Sequence, residues 1–348
     1  MTTTPATSRH AGTLVTGANG EFGHGLIRTL YDAGRRDLIA LDVREIDASL
    51  RPMCREAIVG DITDAALLSR LHANYEIHSI FHLAALLSTR SEFNPEAAHE
   101  VNVVGTVHLL KLAADEAASH GSPVKFMFPS SIAVYGMGSL ETKEQAGAVG
   151  EDQYLEPTTM YGCNKLACEH LGRYYARHYR QLARDRPRGS GRVDFRCIRF
   201  PGVISAFTLP SGGTSDYAPE MIHAAAKGEA YACFVRDDTR IPFVTMPDAI
   251  EALLRLHDAD AKGLMRTVYN ITAFAPSAGE VASIVRRHFR SADLSFRPDV
   301  ERQGIVDSWP ADVDDSAARH DWGFQPRHNL NAAFEEYLIP NIRAHYAE

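Results

Sequence analysis

The sequence predicts an α/β fold built on a doubly wound parallel sheet, and two observations carry that prediction. Through the first two hundred residues, short β-branched apolar runs alternate with longer segments of helical spacing, the rhythm of βαβ units whose strands are covered on both faces. A glycine-rich turn then joins the first apolar run directly to the first helical segment. Strands are expected at 13–17, 37–42, 56–60, 79–84, 124–130 and 193–200, with helices at 21–33, 65–73, 95–118 and 159–183. The stretch 184–194, RDRPRGSGRVD, mixes Pro, Gly and charge and reads as an exposed loop. Beyond Pro201 the rhythm changes: helices are expected at 218–227, 248–258, 277–288 and 330–343, with short strands at 231–236, 268–271 and 294–297. The implied organisation is a disordered lead (1–11), a sheet domain (12–203), and a smaller lobe (204–348) with some segments returning to the core.

Composition excludes several classes. The 36 Lys and Arg against 44 Asp and Glu give a formal charge of -8 with the signs interspersed, so nucleic acid is not an expected partner. Cys54, Cys163, Cys168, Cys197 and Cys233 form an odd set without a CxxC pair, which fits reduced thiols better than a disulfide framework. His78 and His82 stand four apart in the strand-like run SIFHLAA, where side chains share a face without converging, and no metal site is expected. The opening MTTTPATSRHAG lacks an apolar signal core, and no later run reaches the roughly 20 apolar residues that span a bilayer. A cytoplasmic chain without a membrane partner is the expectation.

TLVTGANGEFG places Gly17, Gly20 and Gly23 between the first strand and the first helix. This GxxGxxG loop allows a tight turn at Gly17, close backbone approach to a pyrophosphate at Gly20 and close helix packing at Gly23, while the helix N-terminus favours an anion. Asp42 ends the second strand nineteen residues beyond Gly23, where a carboxylate accepts both adenosine ribose hydroxyls and repels a 2′-phosphate. NAD is therefore expected over NADP, with Arg44 as the neighbouring cation that would pull the other way. Asp61, in GDITD, either borders the adenine or caps the helix beginning near Asp64. Ala84 and Ala85, in HLAALLS, are small enough for a cofactor to cross the strand tip.

In MYGCNKLACEHL, Tyr161 and Lys165 are four apart and share one helix face. A phenol with pKa near ~10 is a poor base at neutral pH, and a cation at roughly 4 Å with an effective dielectric of about 20 would lower it by around three units. Ser131, at the end of the expected fifth strand in KFMFPSSIAVYG, is the hydroxyl that would orient the reacting oxygen.

TGANGEFG, PSSIAVYG and YGCNK resemble the extended short-chain dehydrogenases, the superfamily of Rossmann-fold sugar-nucleotide epimerases and dehydratases, over nearly the whole chain. The resemblance implies Ser131, Tyr161 and Lys165 as the catalytic set, Asn102 in EVNVVGT as support for the catalytic helix, and a strand tip RFPGV (199–203) near the nicotinamide. Its cofactor set would comprise Gly17, Asn19, Gly20, Glu21, Phe22, Gly23, Asp42, Asp61, Ile62, Leu83, Ala84, Ala85, Asn102, Tyr161, Lys165 and Pro201.

HLAALLS, PTTMYG, PGVISA, SGGTSDYAPEMIHAA and DSWP followed by DVDDS resemble the L-threonine 3-dehydrogenases of that superfamily. That likeness implies NAD-dependent oxidation of L-threonine at C3 to 2-amino-3-oxobutanoate. Ser88, Ser131, Tyr161, Thr214, Ser215 and Trp309 would then meet the substrate, with Asp216 supporting their loop. Each has a plainer reading: Ser88 as a strand end, Thr214 to Asp216 as a helix cap, Trp309 as core. The chain departs from the pattern at Ser215, where a second threonine is common, at Thr89–Arg90–Ser91, and in the 184–194 loop. Two other functions stay open. A sugar-nucleotide epimerase or dehydratase would need arginines for a diphosphate, for which Arg236 and Arg240 are candidates, and a non-catalytic NAD-binding sensor or scaffold would not need Tyr161. A homodimer is the expected assembly, with Val101, Val104, Leu109 and Leu112 spaced for a helix-pair interface or for ordinary packing on the sheet.

Overall fold

The structure is a computed structural model describing residues 9–183, 192–210 and 213–347, so residues 1–8 of the expected lead and 184–191 of the expected loop lie outside the described residues. The first half runs β1 (His10–Thr16), α1 (Glu21–Asp32), β2 (Leu38–Asp42), β3 (Glu56–Val59), α2 (Ala65–Asn74), β4 (Tyr75–His82), α3 (Ser88–Phe93), α4 (Pro95–His99), α5 (Gly105–His120) and β5 (Val124–Ser131). There follow α6 (Leu140–Ala146), β6 (Ala148–Val149), α7 (Met160–Arg177), β7 (Val193–Phe200), β8 (Gly202–Ile204), α8 (Tyr217–Lys227), β9 (Tyr231–Cys233), β10 (Phe243–Thr245) and α9 (Met246–Asp258). The chain ends with β11 (Val268–Asn270), α10 (Ala278–His288), β12 (Leu294–Phe296), α11 (Val300–Asp307), β13 (Asp312–Val313), α12 (Ser316–Trp322), α13 (Leu330–Ala332) and α14 (Ile339–Ala347).

Seven strands form the central sheet in the order β11-β7-β5-β4-β1-β2-β3, with parallel pairing. The order turns back between β1 and β4, so the carboxyl ends of those two strands form the topological switch point. All five residues of β2, LIALD, are buried, as a strand covered on both faces requires. β1 starts at His10, ahead of the Thr13 marked by the apolar pattern, because His10 and Ala11 pair with Tyr75 and Glu76 on β4.

Two compact units divide the chain. The first comprises Met1–Ala85, His99–Phe128 and Cys168–Arg196; the second comprises Leu86–Ala98, Pro129–Ala167 and Cys197–Glu348. β5 and β7 each contribute residues to both. No helix among the described residues is long and apolar enough to cross a membrane.

Several expectations are corrected. The helix expected over 95–118 is interrupted by a π-helical turn at Glu100–Val104, and that over 330–343 by another at Ala333–Leu338. Ser88 does not end a strand: β4 stops at His82 and Ser88 opens α3. Asp64, not Asp61, caps α2, accepting from Ala66 N (2.8 Å) and Leu67 N (3.1 Å). Leu109 and Leu112 are buried inside the chain, so they are unavailable to the helix-pair interface proposed for them. His82 is a core histidine between Thr16 Oγ1 (3.0 Å) and Thr106 Oγ1 (2.8 Å).

Within the second unit, the first turn of α7 comes up against the segment after β5. A Cβ on Gly162 would lie 2.0 Å from Ala133 O and 2.9 Å from Pro157 Cβ, so only glycine permits this approach. Gly304, inside α11, has nothing within 4 Å of the same notional atom. Gly162→Ala should therefore lose about 1–3 kcal/mol of stability through overpacking. Gly304→Ala should be neutral or gain about 0.5–1 kcal/mol from its better helix propensity. Urea unfolding midpoints of the two variants check the contrast.

Candidate active site

The first unit holds the residues expected to meet the dinucleotide, apart from Tyr161, Lys165 and Pro201. Gly17 has φ +67°, and a Cβ there would sit 2.6 Å from Ala84 N, which fixes glycine at the turn leaving β1. The ends of β1 and β4 are joined by Leu83 N donating to Thr16 O (3.1 Å) and Ala84 N donating to Thr16 Oγ1 (3.3 Å). Gly20 is the N-cap of α1 and brings no side chain to its first turn; Glu21, Phe22 and buried Gly23 follow it. Around Gly20 a Cβ would meet only Gly17 O, at 3.1 Å, so the turn has the open cradle a pyrophosphate needs.

Asp42 ends β2 at 8% exposure and accepts Asn19 N on Oδ2 (2.9 Å) and Arg44 N on Oδ1 (3.0 Å). A carboxylate offers about four acceptor sites, so a site remains on each oxygen for a pair of ribose hydroxyls. These features fit a nicotinamide dinucleotide. Asp61 accepts from Thr63 N (2.9 Å) and Thr63 Oγ1 (2.8 Å), closing a turn around the buried Ile62. Asn102 lies in the π turn, buried, with its carbonyl accepting from Cys168 Sγ (3.1 Å). Such turns widen the helical ladder and expose a carbonyl that an α-helix would engage.

The second unit contains Ser88, Ser131, Tyr161, Lys165, Pro201, Thr214, Ser215 and Trp309. Ser131 caps a short 3-10 turn (Ile132–Val134), its Oγ accepting from Ala133 N at 3.1 Å. That bond uses an acceptor site and leaves the hydroxyl proton to be donated elsewhere. Lys165 is buried, donates to Pro129 O (2.6 Å) and stands 5.5 Å from the Tyr161 ring centroid. Tyr161 remains partly accessible, yet burial pushes its phenol well above the ordinary value. The lowering expected from Lys165 is thus outweighed in the chain alone by loss of solvent around the phenol.

Thr214 is buried and donates through Oγ1 to Ser88 Oγ (3.3 Å), so the structure brings these two together. Asp216 supports their loop by accepting from Gly213 N (2.7 Å), and it starts α8 without a side-chain cap. Ser215 is half-buried beside them. Trp309 is 5% exposed within the apolar cluster of this unit, but its Nε1 has no hydrogen-bond partner among the described residues. A buried indole N–H without an acceptor is a costly feature for pure core. Pro201 is buried after β7. Arg90 is exposed on α3.

Sequence reasoning missed the supports of this group. Arg199, fully buried, donates to Tyr135 Oη (2.9 Å) and Glu151 O (2.7 Å), and Tyr135 donates to Asn270 Oδ1 (2.8 Å). Burial pushes the Tyr135 phenol up to about 12, so it stays a donor throughout the physiological range. Glu92 accepts from Met160 N at 2.7 Å and thereby caps α7 beside Tyr161. These pairs lie far apart in sequence, and the only local signal was the Tyr-Gly closing PSSIAVYG.

Arg236 pairs with Asp307 (2.9 Å) and Asp238 (3.1 Å), and Arg240 pairs with Glu280 (2.9 Å). Both arginines considered for a diphosphate are thus engaged by carboxylates.

The model of the NAD dependent epimerase/dehydratase family matches residues 13–272. The mitochondrial L-threonine 3-dehydrogenase of Bos taurus is 34% identical over 313 residues, covering 90% of this chain and 78% of that protein. An uncharacterized epimerase/dehydratase of Staphylococcus saprophyticus is 33% identical, covering 92% of this chain and 93% of its own. Among solved structures, the L-threonine dehydrogenase of Clostridium difficile superimposes with a TM-score of 0.84 at 30% identity, covering 97% of this chain and 99% of that one. The L-threonine 3-dehydrogenase of Trypanosoma brucei gives 0.82 at 32% identity, covering 95% and 98%. On the extent of the family match and the identity of these relatives, the chain belongs to the NAD dependent epimerase/dehydratase family.

Proposed function

We propose that the chain oxidises L-threonine at C3 to 2-amino-3-oxobutanoate with NAD, using Tyr161 as the general base. The observation that supports this most directly is the Thr214–Ser88 hydroxyl pair, which shares one compact unit with Ser131, Tyr161 and Lys165. A small zwitterion needs short polar contacts of that kind for its ammonium and carboxylate groups, and Trp309 supplies a further buried N–H donor. Relatives named L-threonine 3-dehydrogenases lend the substrate. The sugar-nucleotide reading loses support because Arg236 and Arg240 are already paired, and the sensor reading loses support because the tyrosine, lysine and serine are all retained.

NAD, when bound, supplies the hydride acceptor and a positive charge. Ser131 donates its hydroxyl proton to the C3 oxygen and fixes its position. Ionised Tyr161 takes the C3 hydroxyl proton, and Lys165 stabilises the phenolate. Because burial raises the phenol, this base is scarce at neutral pH and becomes available as pH rises.

Three outcomes are expected. L-threonine should reduce NAD, read as absorbance at 340 nm, in preference to L-serine, D-threonine, L-allo-threonine and NADP; inactivity toward L-threonine would defeat the reading. Tyr161→Phe should lower kcat at least about 10³-fold while NADH affinity by fluorescence titration changes little. The rate should climb between pH 7 and 10, and Lys165→Met should move that rise further alkaline; a flat profile in the parent would remove Tyr161 as base.

A further inference from the structure

Asn19 lies inside the glycine loop, but its side chain serves a different segment. Its Nδ2 donates to Glu45 O (2.8 Å) and its Oδ1 accepts from Asp47 N (2.9 Å), while its own backbone N–H donates to Asp42 Oδ2 (2.9 Å). One residue therefore fixes the carboxylate and ties the turn after β2 to the turn after β1. Arg44, whose backbone N–H holds the other oxygen of Asp42, extends a side chain that is 73% exposed and lies 3.7 Å from Asp42 Oδ1. Arg44, His24, Glu45 and Asp47 line a hollow of about 200 Å³ together with Asn19.

We propose that Asn19 is a positioning residue for cofactor selection: it holds Asp42 and the 44–47 turn so that a ribose 2′-hydroxyl is accepted and a 2′-phosphate refused. The inference rests on the first unit being the dinucleotide site and is independent of which alcohol is oxidised. With the turn tied down, Asp42, Glu45 and Asp47 outnumber Arg44 and His24 around the ribose position, and Arg44 is kept as a neighbour of Asp42. With the tie cut, the 44–47 turn loses its side-chain anchors to Asn19. Asp42 keeps the backbone N–H of residue 19 on Oδ2 but no longer has the Arg44 N–H held in place on Oδ1, and the long Arg44 side chain can swing to a phosphate, for which guanidinium is well suited.

The test needs no substrate. Dissociation constants of NADH and NADPH are measured by fluorescence titration of the full chain for the parent, Asn19→Ala, and Asn19→Ala combined with Arg44→Ala. Asn19→Ala should weaken NADH about tenfold and leave NADPH equal or tighter, narrowing the preference at least fivefold. Adding Arg44→Ala should remove the NADPH gain without restoring NADH. Equal weakening of both nucleotides by Asn19→Ala would show a merely structural loop residue and overturn the proposal. Should that variant lack a cooperative thermal transition, Asn19→Ser, which retains a short acceptor and loses the amide donor, is judged by the same ratio. A parent that bound neither nucleotide would overturn the dinucleotide reading, and this proposal with it.

Discussion

Desolvation of the Tyr161 phenol is the constraint on which the proposed chemistry turns. Burial makes its proton harder to remove, so a working base requires positive charge close by. Lys165 stands 5.5 Å from the ring centroid, and a cation that near favours the phenolate. Burial outweighs that contribution in the chain alone. On the proposed reading, the second cation arrives with the oxidised cofactor, so the tyrosine ionises only when a hydride acceptor is present. An environment that looks unhelpful for a base thus ties proton removal to the presence of the group that completes the reaction.

The same unit shows how a rigid placement is reached without many polar contacts. Gly162 lets α7 meet the backbone of Ala133, and Lys165 reaches Pro129 O from the same helix. Tyr161 and Lys165 are thereby referred to the segment 129–133 that carries Ser131, through a backbone-to-backbone approach at Gly162 and a side-chain-to-backbone bond from Lys165. Backbone-to-backbone approach restricts motion more than side-chain packing does, because no rotamer can relax it. Positioning within a fraction of an ångström matters here, since a small misplacement of reacting groups costs orders of magnitude in rate.

What the sequence revealed follows from the range of its signals. β7 appears where the apolar run 193–200 put it, and α1 and α2 begin at the residues expected, because each spans enough turns or alternations to show its period. The GxxGxxG loop and the Tyr161–Lys165 spacing were readable for the same reason: their geometry is set within one element. The π turn at Glu100–Val104 was not readable, since one extra residue in a helix leaves the apolar pattern nearly unchanged over a short window. α3, α6, α11 and α12 span two turns or so and carry too few residues to establish periodicity. The Arg199–Tyr135–Asn270 chain links three distant segments, and only the fold brings them together.

α3 makes the departure at Arg90 more consequential than its exposure suggests. Ser88 opens this helix and meets Thr214, while Glu92 one turn later caps α7 through Met160 N, the residue before Tyr161. One six-residue helix therefore reaches both the hydroxyl pair assigned to the substrate and the start of the helix that carries the base. Arg90 lies between those two contacts and projects to solvent, so its charge need not touch a substrate to matter. A shift of α3 by a few tenths of an ångström would move Ser88 and the cap of α7 together. On the proposed reading, substrate fit and placement of the base are mechanically joined, and that joint lies in a short surface helix, outside the conspicuous motifs.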